Sequence, residues 1–101
     1  MPFDLRFKED SLEELQEEDA KRDGAYPAGI ARAYRKRIQV IRDALDERDF
    51  YALGAVRFEK LQGNRGHQHS MRLNDQWRLI LEIQGDSPNK TVLVVAIEDY
   101  H

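Results

Sequence analysis

The sequence predicts an α+β domain in which two N-terminal helices pack on a small, mainly antiparallel sheet, in the order β-α-α-β-β-β. Three observations predict it. Phe3, Leu5 and Phe7 alternate with Asp4, Arg6 and Lys8, the period of two shown by a strand with one buried face. Ile30, Tyr34, Ile38, Ile41 and Leu45 recur at three- and four-residue steps, the stripe of an amphipathic helix. From Met71 to Ile97, apolar alternation and β-branched runs follow one another with only turn residues between them.

Residues 2 to 8 form the first strand. Ser11 stands three residues before Glu14, a capping-box spacing that starts a short helix there, with Leu12 and Leu15 as its apolar stripe and Ala20 at its edge. Asp23-Gly24 and Pro27 interrupt the chain before the second helix. Its stripe, Ile30, Tyr34, Ile38, Ile41 and Leu45, is expected in the core, with Arg32, Arg35, Lys36 and Arg42 largely outside it. From Asp49 to Gly66 the pattern is irregular, broken by Gly54, Gly63 and Gly66. It reads as a loop held down by its apolar residues, with Val56 and Phe58 as a short extended piece. Met71 and Leu73 then lead through an Asn74-Asp75 turn into the alternation of Trp77, Leu79, Leu81 and Ile83, which is a hairpin with Trp77 expected in the core, facing the helices. Gly85-Asp86-Ser87-Pro88-Asn89 makes a second turn, and Thr91 to Ile97 reads as a strand covered on both sides.

A chain of 101 residues is expected to form one domain, residues 1–101. Hydrophobic residues make up 41% and charged residues 35%, which is too apolar for a disordered chain. There is no cysteine, so disulfides, thiolate chemistry and cysteine-based zinc sites are excluded. Neither a leader pattern nor a run near the ~18 to 20 apolar residues of a membrane span is present, so the expected location is the cytoplasm. The formal net charge of −3 argues against phosphate binding, but its arrangement does not. Arg32 to Arg42 holds Arg32, Arg35, Lys36, Arg37 and Arg42 without a carboxylate. Arg57 to Arg78 sets Arg57, Lys60, Arg65, Arg72 and Arg78 against only Glu59 and Asp75.

Three landmarks carry a family resemblance: Leu61-Gln62-Gly63, the stretch Ser70-Met71-Arg72-Leu73-Asn74-Asp75-Gln76-Trp77-Arg78-Leu79, and the terminal Glu98-Asp99-Tyr100-His101. Together they resemble the HigB-type toxins of the RelE/ParE superfamily. In that family a Leu-Lys-Gly loop precedes a strand ending in Arg, an aromatic-Arg-Leu strand follows, and the chain ends in Asp-Tyr-His. Gln62 stands where the family has Lys. The resemblance implies a RelE-like fold and a ribosome-dependent mRNA endonuclease that cleaves mRNA in the 30S A site without a cofactor or metal. It further implies restraint by a HigA-like helix-turn-helix antitoxin. Matched position by position, the implied catalytic residues are Arg72, Arg78, Asp99, Tyr100 and His101.

Those residue types suit the reaction. Attack of a 2′-hydroxyl on its neighbouring phosphate needs a base, an acid for the leaving 5′-oxygen, and cations for the phosphorane. His101 titrates in the right range to give or accept a proton, and Tyr100 can orient a phosphate or stack on a base. Arg72 and Arg78 sit at parities opposite to Met71, Leu73, Trp77 and Leu79, so both are expected on the face away from that apolar set as a phosphate clamp. Lys60, Gln62 and Arg65 on the preceding loop, His67 and His69 as substitute acids or bases, and Arg35 and Lys36 on the second helix complete the expected RNA-binding set. The plainer alternatives are a solvated chain end at His101, ion pairs of Arg72 and Arg78 with Glu82 and Glu98, and a solvated second-helix face. His67-x-His69 suggests a metal pair, but no third ligand stands at motif spacing. Two non-nuclease readings stay open: a gyrase-directed toxin of ParE type, or a degenerate toxin acting with its antitoxin as a co-repressor.

Overall fold

In the computed structural model, residues 3–17, 26–85 and 90–99 are described. The elements are β1 (Phe3–Phe7), α1 (Asp10–Leu15), α2 (Ile30–Asp43), α3 (Glu47–Ala52), β2 (Glu59–Lys60), β3 (Gln68–Arg72), β4 (Trp77–Gln84) and β5 (Lys90–Asp99). They form one five-stranded sheet in the order β1-β5-β4-β3-β2. β1 runs parallel to β5, and every other pairing is antiparallel. The expected α+β class therefore holds. Ala20, Asp23-Gly24 and the turn residues Asp86 to Asn89 lie outside the described residues.

The helices cover one face of the sheet. Ile30, Tyr34, Ile38 and Ile41 on α2 and Leu12 and Leu15 on α1 are buried with Met71, Leu79, Leu81, Val92 and Val94 from the strands. Burying one such aliphatic side chain contributes about 1.5 to 3 kcal/mol. Two polar links fix the helices in place. The Tyr34 hydroxyl, in full burial, donates to the Leu12 carbonyl at 2.5 Å. Burial, and then Tyr26, push its ionisation upward, so it remains a neutral donor. Arg35 donates from Nε to the Leu15 carbonyl at 3.1 Å and from Nη2 to the Glu17 carbonyl at 2.8 Å, serving carbonyls that the end of α1 leaves open.

Four expectations are corrected. The Ser11–Glu14 capping box is not formed: α1 begins at Asp10 after an extended Glu9, with no side-chain cap. The ladder of β1 continues through Lys8 N–H to the Val94 carbonyl at 2.9 Å and delivers the chain directly into the helix, leaving Ser11 inside the first turn. Leu45 is not core but 75% exposed. α2 stops at Asp43, and Ala44 is extended at φ −72, ψ 143, so helical spacing no longer applies and Ala44 takes the buried place. The stretch from Asp49 to Gly66 is not simply a loop. It contains most of α3, β2 and two 3-10 turns, Gly54–Val56 and Gly63–Arg65. α3 is capped by Asp46, whose carboxylate accepts from Arg48 N–H, and only Phe50 of its six residues is buried, so it has no stripe to read. Trp77 is only partly buried, packed against the core and meeting Tyr26 edge-on at 6.0 Å.

β5 carries an irregularity that matters for the site. Ile80 pairs with Ala96 and Leu81 with Val94, which leaves Val95 as an extra residue.

Replacing Ile41 with Ala is expected to cost about 2 to 5 kcal/mol in urea unfolding, as for a filled core position. Leu45→Ser, by contrast, is expected to change stability by less than about 0.5 kcal/mol, as for a surface site. A loss at Leu45 comparable to that at Ile41 would contradict the end of α2 described here.

Candidate functional site

The face of the sheet opposite the helices is built by strand parity. Arg72 on β3 stands directly across from Arg78 on β4, and Arg78 stands across from Glu98 on β5. One row therefore carries two guanidiniums and a carboxylate. The next row is Ser70, Ile80 and Ala96. Ser70 and Ile80 are fully buried, although parity sets them on the side away from the helix-side core. Arg65, in the segment after β2, reaches this face: Nη1 and Nη2 donate to the two Glu98 carboxylate oxygens at 3.1 and 2.8 Å, and Nε donates to Gln68 at 3.0 Å. A side chain from beyond the β2 edge thus reaches across β3 and β4 to β5.

The cations of this face are held, not loose. Arg78 donates to the Arg57 carbonyl at 3.3 Å, and Arg72 pairs with Asp75 in the hairpin turn. Arg57 itself sits at φ 46, a left-handed conformation that non-glycine residues seldom adopt, and its carbonyl meets Arg78 from there. The ion pair of Glu98 is with Arg65, although register sets Glu98 opposite Arg78. A carboxylate bound in bidentate fashion by one arginine, in a row with two more, can orient that arginine toward an anion. Glu98 was legible only as a cross-strand partner, because the parity that places it here depends on the extra residue in β5.

The expected site residues divide as follows. Arg65, Arg72 and Arg78 share the open face. Lys60 and Gln62 are exposed and line, with Glu59, Leu61 and Arg65, an adjoining cleft of about 260 Å³. Asp99 pairs with Trp77, hence on the parity opposite to Glu98, and its carboxylate accepts from Gln76 Nε2 at 3.0 Å beside the hairpin turn. Tyr100 and His101 lie outside the described residues. Lys36 is exposed on α2, on the helix side of the sheet. Arg35 is not brought to the face, being bonded to the carbonyls that follow α1. His67 is exposed, 3.8 Å from Glu82. His69 takes the other side of the strand and stacks on Phe58, with ring centroids 4.7 Å apart and an interplanar angle of 2°. No cluster of three metal-ligating side chains occurs among the described residues. Among them, no helix is long and apolar enough to cross a membrane.

Comparison with known proteins matches the chain to a family. The family model HigB-like toxin, described as a RelE-like toxin of type II toxin-antitoxin system HigB, matches residues 5–101. Toxin HigB-1 of Vibrio cholerae serotype O1 is 36% identical over 78 residues, covering 77% of this chain and 81% of that protein. Among solved structures, a YoeB/ParE toxin from Agrobacterium tumefaciens superposes with a TM-score of 0.65 at 17% identity, over 98% of this chain and 100% of that one. A chain of the YoeB-YefM complex from Staphylococcus aureus gives 0.59 at 17% identity, over 100% of this chain and 99% of that one. At such identities these two structures establish the fold.

His69 generates a prediction of its own. Its Nδ1 is buried without a hydrogen-bond partner among the described residues, and burial pulls the imidazole below its ordinary range. Glu47 opposes that shift and Lys60 adds to it. The unfolded chain therefore takes up this proton more readily than the fold does, and stability is lost as pH drops through about 6.5, the usual imidazole value. His69→Phe keeps the stack on Phe58 and removes the orphaned atom. Urea melts are expected to show a shallower loss of stability between pH 7.5 and 5.5 in that variant. Equal slopes would remove His69 from the account.

Proposed function

The chain belongs to the HigB-like, RelE-fold toxins of type II toxin-antitoxin systems, and from that we propose that it is a ribosome-dependent mRNA endonuclease acting in the 30S A site. The observation that carries the reading is the Arg72–Arg78–Glu98 row on the open face, with Arg65 reaching into it. Asp99 follows Glu98 directly, and two peptide links, at most about 7 Å of chain, separate Asp99 from His101.

In this mechanism the 2′-hydroxyl of one nucleotide attacks the adjacent phosphorus as a base removes its proton. The bond to the 5′-oxygen breaks as an acid supplies one. A 2′,3′-cyclic phosphate and a free 5′-hydroxyl result. Arg72 and Arg78 neutralise the charge gathering on the phosphorane, where fixed guanidiniums need little reorganisation. His101 is the proton carrier, Tyr100 orients the phosphate or stacks on a base, and Asp99 supplies a carboxylate that can hold the imidazole in place. Arg65 and Glu98 hold the flank of the site, and Lys60 and Gln62 extend it along the cleft beside β2. The partner that restrains the toxin is a HigA-like helix-turn-helix antitoxin. The YoeB-YefM complexes of Staphylococcus aureus, whose toxin chain has a like fold, support an antitoxin partner in general.

Induction in growing cells is expected to produce new mRNA 5′ ends within translated reading frames. His101→Gln and the double variant Arg72→Ala/Arg78→Ala are expected to abolish those ends and restore growth, each by at least about 100-fold in cleavage, the usual weight of an acid-base group or a charge-stabilising donor. Intact transcripts accompanied by DNA-damage signalling would replace this reading with a gyrase-directed one. Intact transcripts without toxicity would point to a co-repressor.

A further inference from the structure

A second basic surface lies on the helix side of the same hairpin. Between α2 and the end of β3 is an open cleft of about 390 Å³ lined by Gly29, Arg32, Ala33, Lys36, Arg37 and Leu73. Among the described residues that line it, half are cations and none is acidic. Arg32 and Lys36 stand four residues apart, which on a helix places them on one face. Among the described residues, no carboxylate pairs with Arg32, Lys36 or Arg37.

Arg37 ties this cleft to the open face. Its Nε donates to the Arg72 carbonyl at 2.7 Å. That carbonyl is available because β2 spans only Glu59–Lys60 and pairs with Ser70 and His69, leaving the outer edge of β3 without a strand neighbour at Arg72. Arg72 thus belongs to both surfaces, its side chain to the row with Arg78 and its backbone to Arg37. Burial, and then the nearby charge of Arg72, disfavour the cationic form of Arg37. Like charges gathered in one concavity repel one another, and an arriving anion relieves that repulsion.

We propose that this cleft is a second phosphate-binding site that takes the sugar-phosphate backbone of single-stranded RNA beside the cleaved linkage. The proposal rests on the nuclease reading for its biological setting, but not for its test. A strand lying on the Arg72–Arg78 row and passing over the bare edge of β3 enters the cleft next, with Arg37 at the crossing point. A polyanion with regularly spaced charges matches this continuous path. The cleft is open, and Leu73 is the one large apolar residue among the described residues that line it, so these offer no anchor pocket of the kind a docked peptide segment uses. The site also revises the helix residues expected to meet RNA: Lys36 is kept, Arg32 and Arg37 join it, and Arg35 leaves.

The test compares the unaltered chain with Arg32→Gln/Lys36→Gln, whose two positions are exposed, so a urea midpoint close to the parent's is expected. The probe is a short single-stranded RNA with methylated 2′-hydroxyls, which binds but cannot be cleaved. For single strands, log K falls with log salt by about 0.7 per phosphate neutralised, so the double variant is expected to lose about 1.4 from that slope. An unchanged slope overturns the proposal. So does a variant that keeps the RNA slope but loses its antitoxin, which would make the cleft a protein-docking surface. Cleavage of translated mRNA by the unaltered chain is scored separately: its absence rejects the nuclease reading, while the slopes still decide the cleft.

Discussion

The extra residue at Val95 is the constraint on which the two faces of the sheet depend. Strand side chains alternate strictly, so a regular β5 would place Val92, Val94, Ala96 and Glu98 all on one side. Val92 and Val94 are fully buried under the helices, and a regular strand would have driven Glu98 toward the same apolar interior. The offset between the Ile80–Ala96 and Leu81–Val94 pairs reverses the parity halfway along. Ile97 then packs toward the core while Glu98 emerges beside Arg78, so one strand serves the core with its first half and the site with its second. Bulges commonly sit near functional sites for this reason: one residue re-aims everything downstream of it.

Charge is distributed by the same logic of faces. The protein is acidic in sum, yet its cations gather on the open face of the hairpin and along the adjoining side of α2. Several of them have structural duties. Arg35 serves the carbonyls after α1, Arg65 binds Glu98, and Arg37 serves the bare edge of β3. Net charge therefore does not describe this surface, since potential at short range is set by the nearest fixed charges and distant ones are screened within about 10 Å. The Arg65–Glu98 pair shows how this is held in order. A planar guanidinium matched to both carboxylate oxygens ties the segment after β2 to β5 across the open face.

The hairpin and the long helix were legible because each repeats one local rule over many residues. Trp77, Leu79, Leu81 and Ile83 announce β4, and the facing parity of Arg72 and Arg78 follows once the turn at Asn74-Asp75 is placed. The structure sets those two arginines directly opposite each other. α3 was not legible, since six residues with one buried side chain contain no period. Leu45 misled because helical spacing was extended past Asp43, where the backbone becomes extended. His69 gave no sign of its stack on Phe58, a contact between two elements that no local pattern encodes.

By itself, the sequence determined the α+β class, the stripe of α2, the alternation of the hairpin and, through its terminal and hairpin motifs, the family. These are properties of residues close together in the chain, where backbone period and side-chain type act directly. Only the tertiary structure decided which cations share a surface: Arg65 reaching Glu98, Arg35 withdrawn to α1, and Arg37 joined to the Arg72 carbonyl. Those outcomes depend on strand register, on the single extra residue at Val95 and on the two-residue length of β2. Each is settled by hydrogen bonding and packing between segments far apart in sequence, and β5 in particular hid its offset inside an unbroken apolar run.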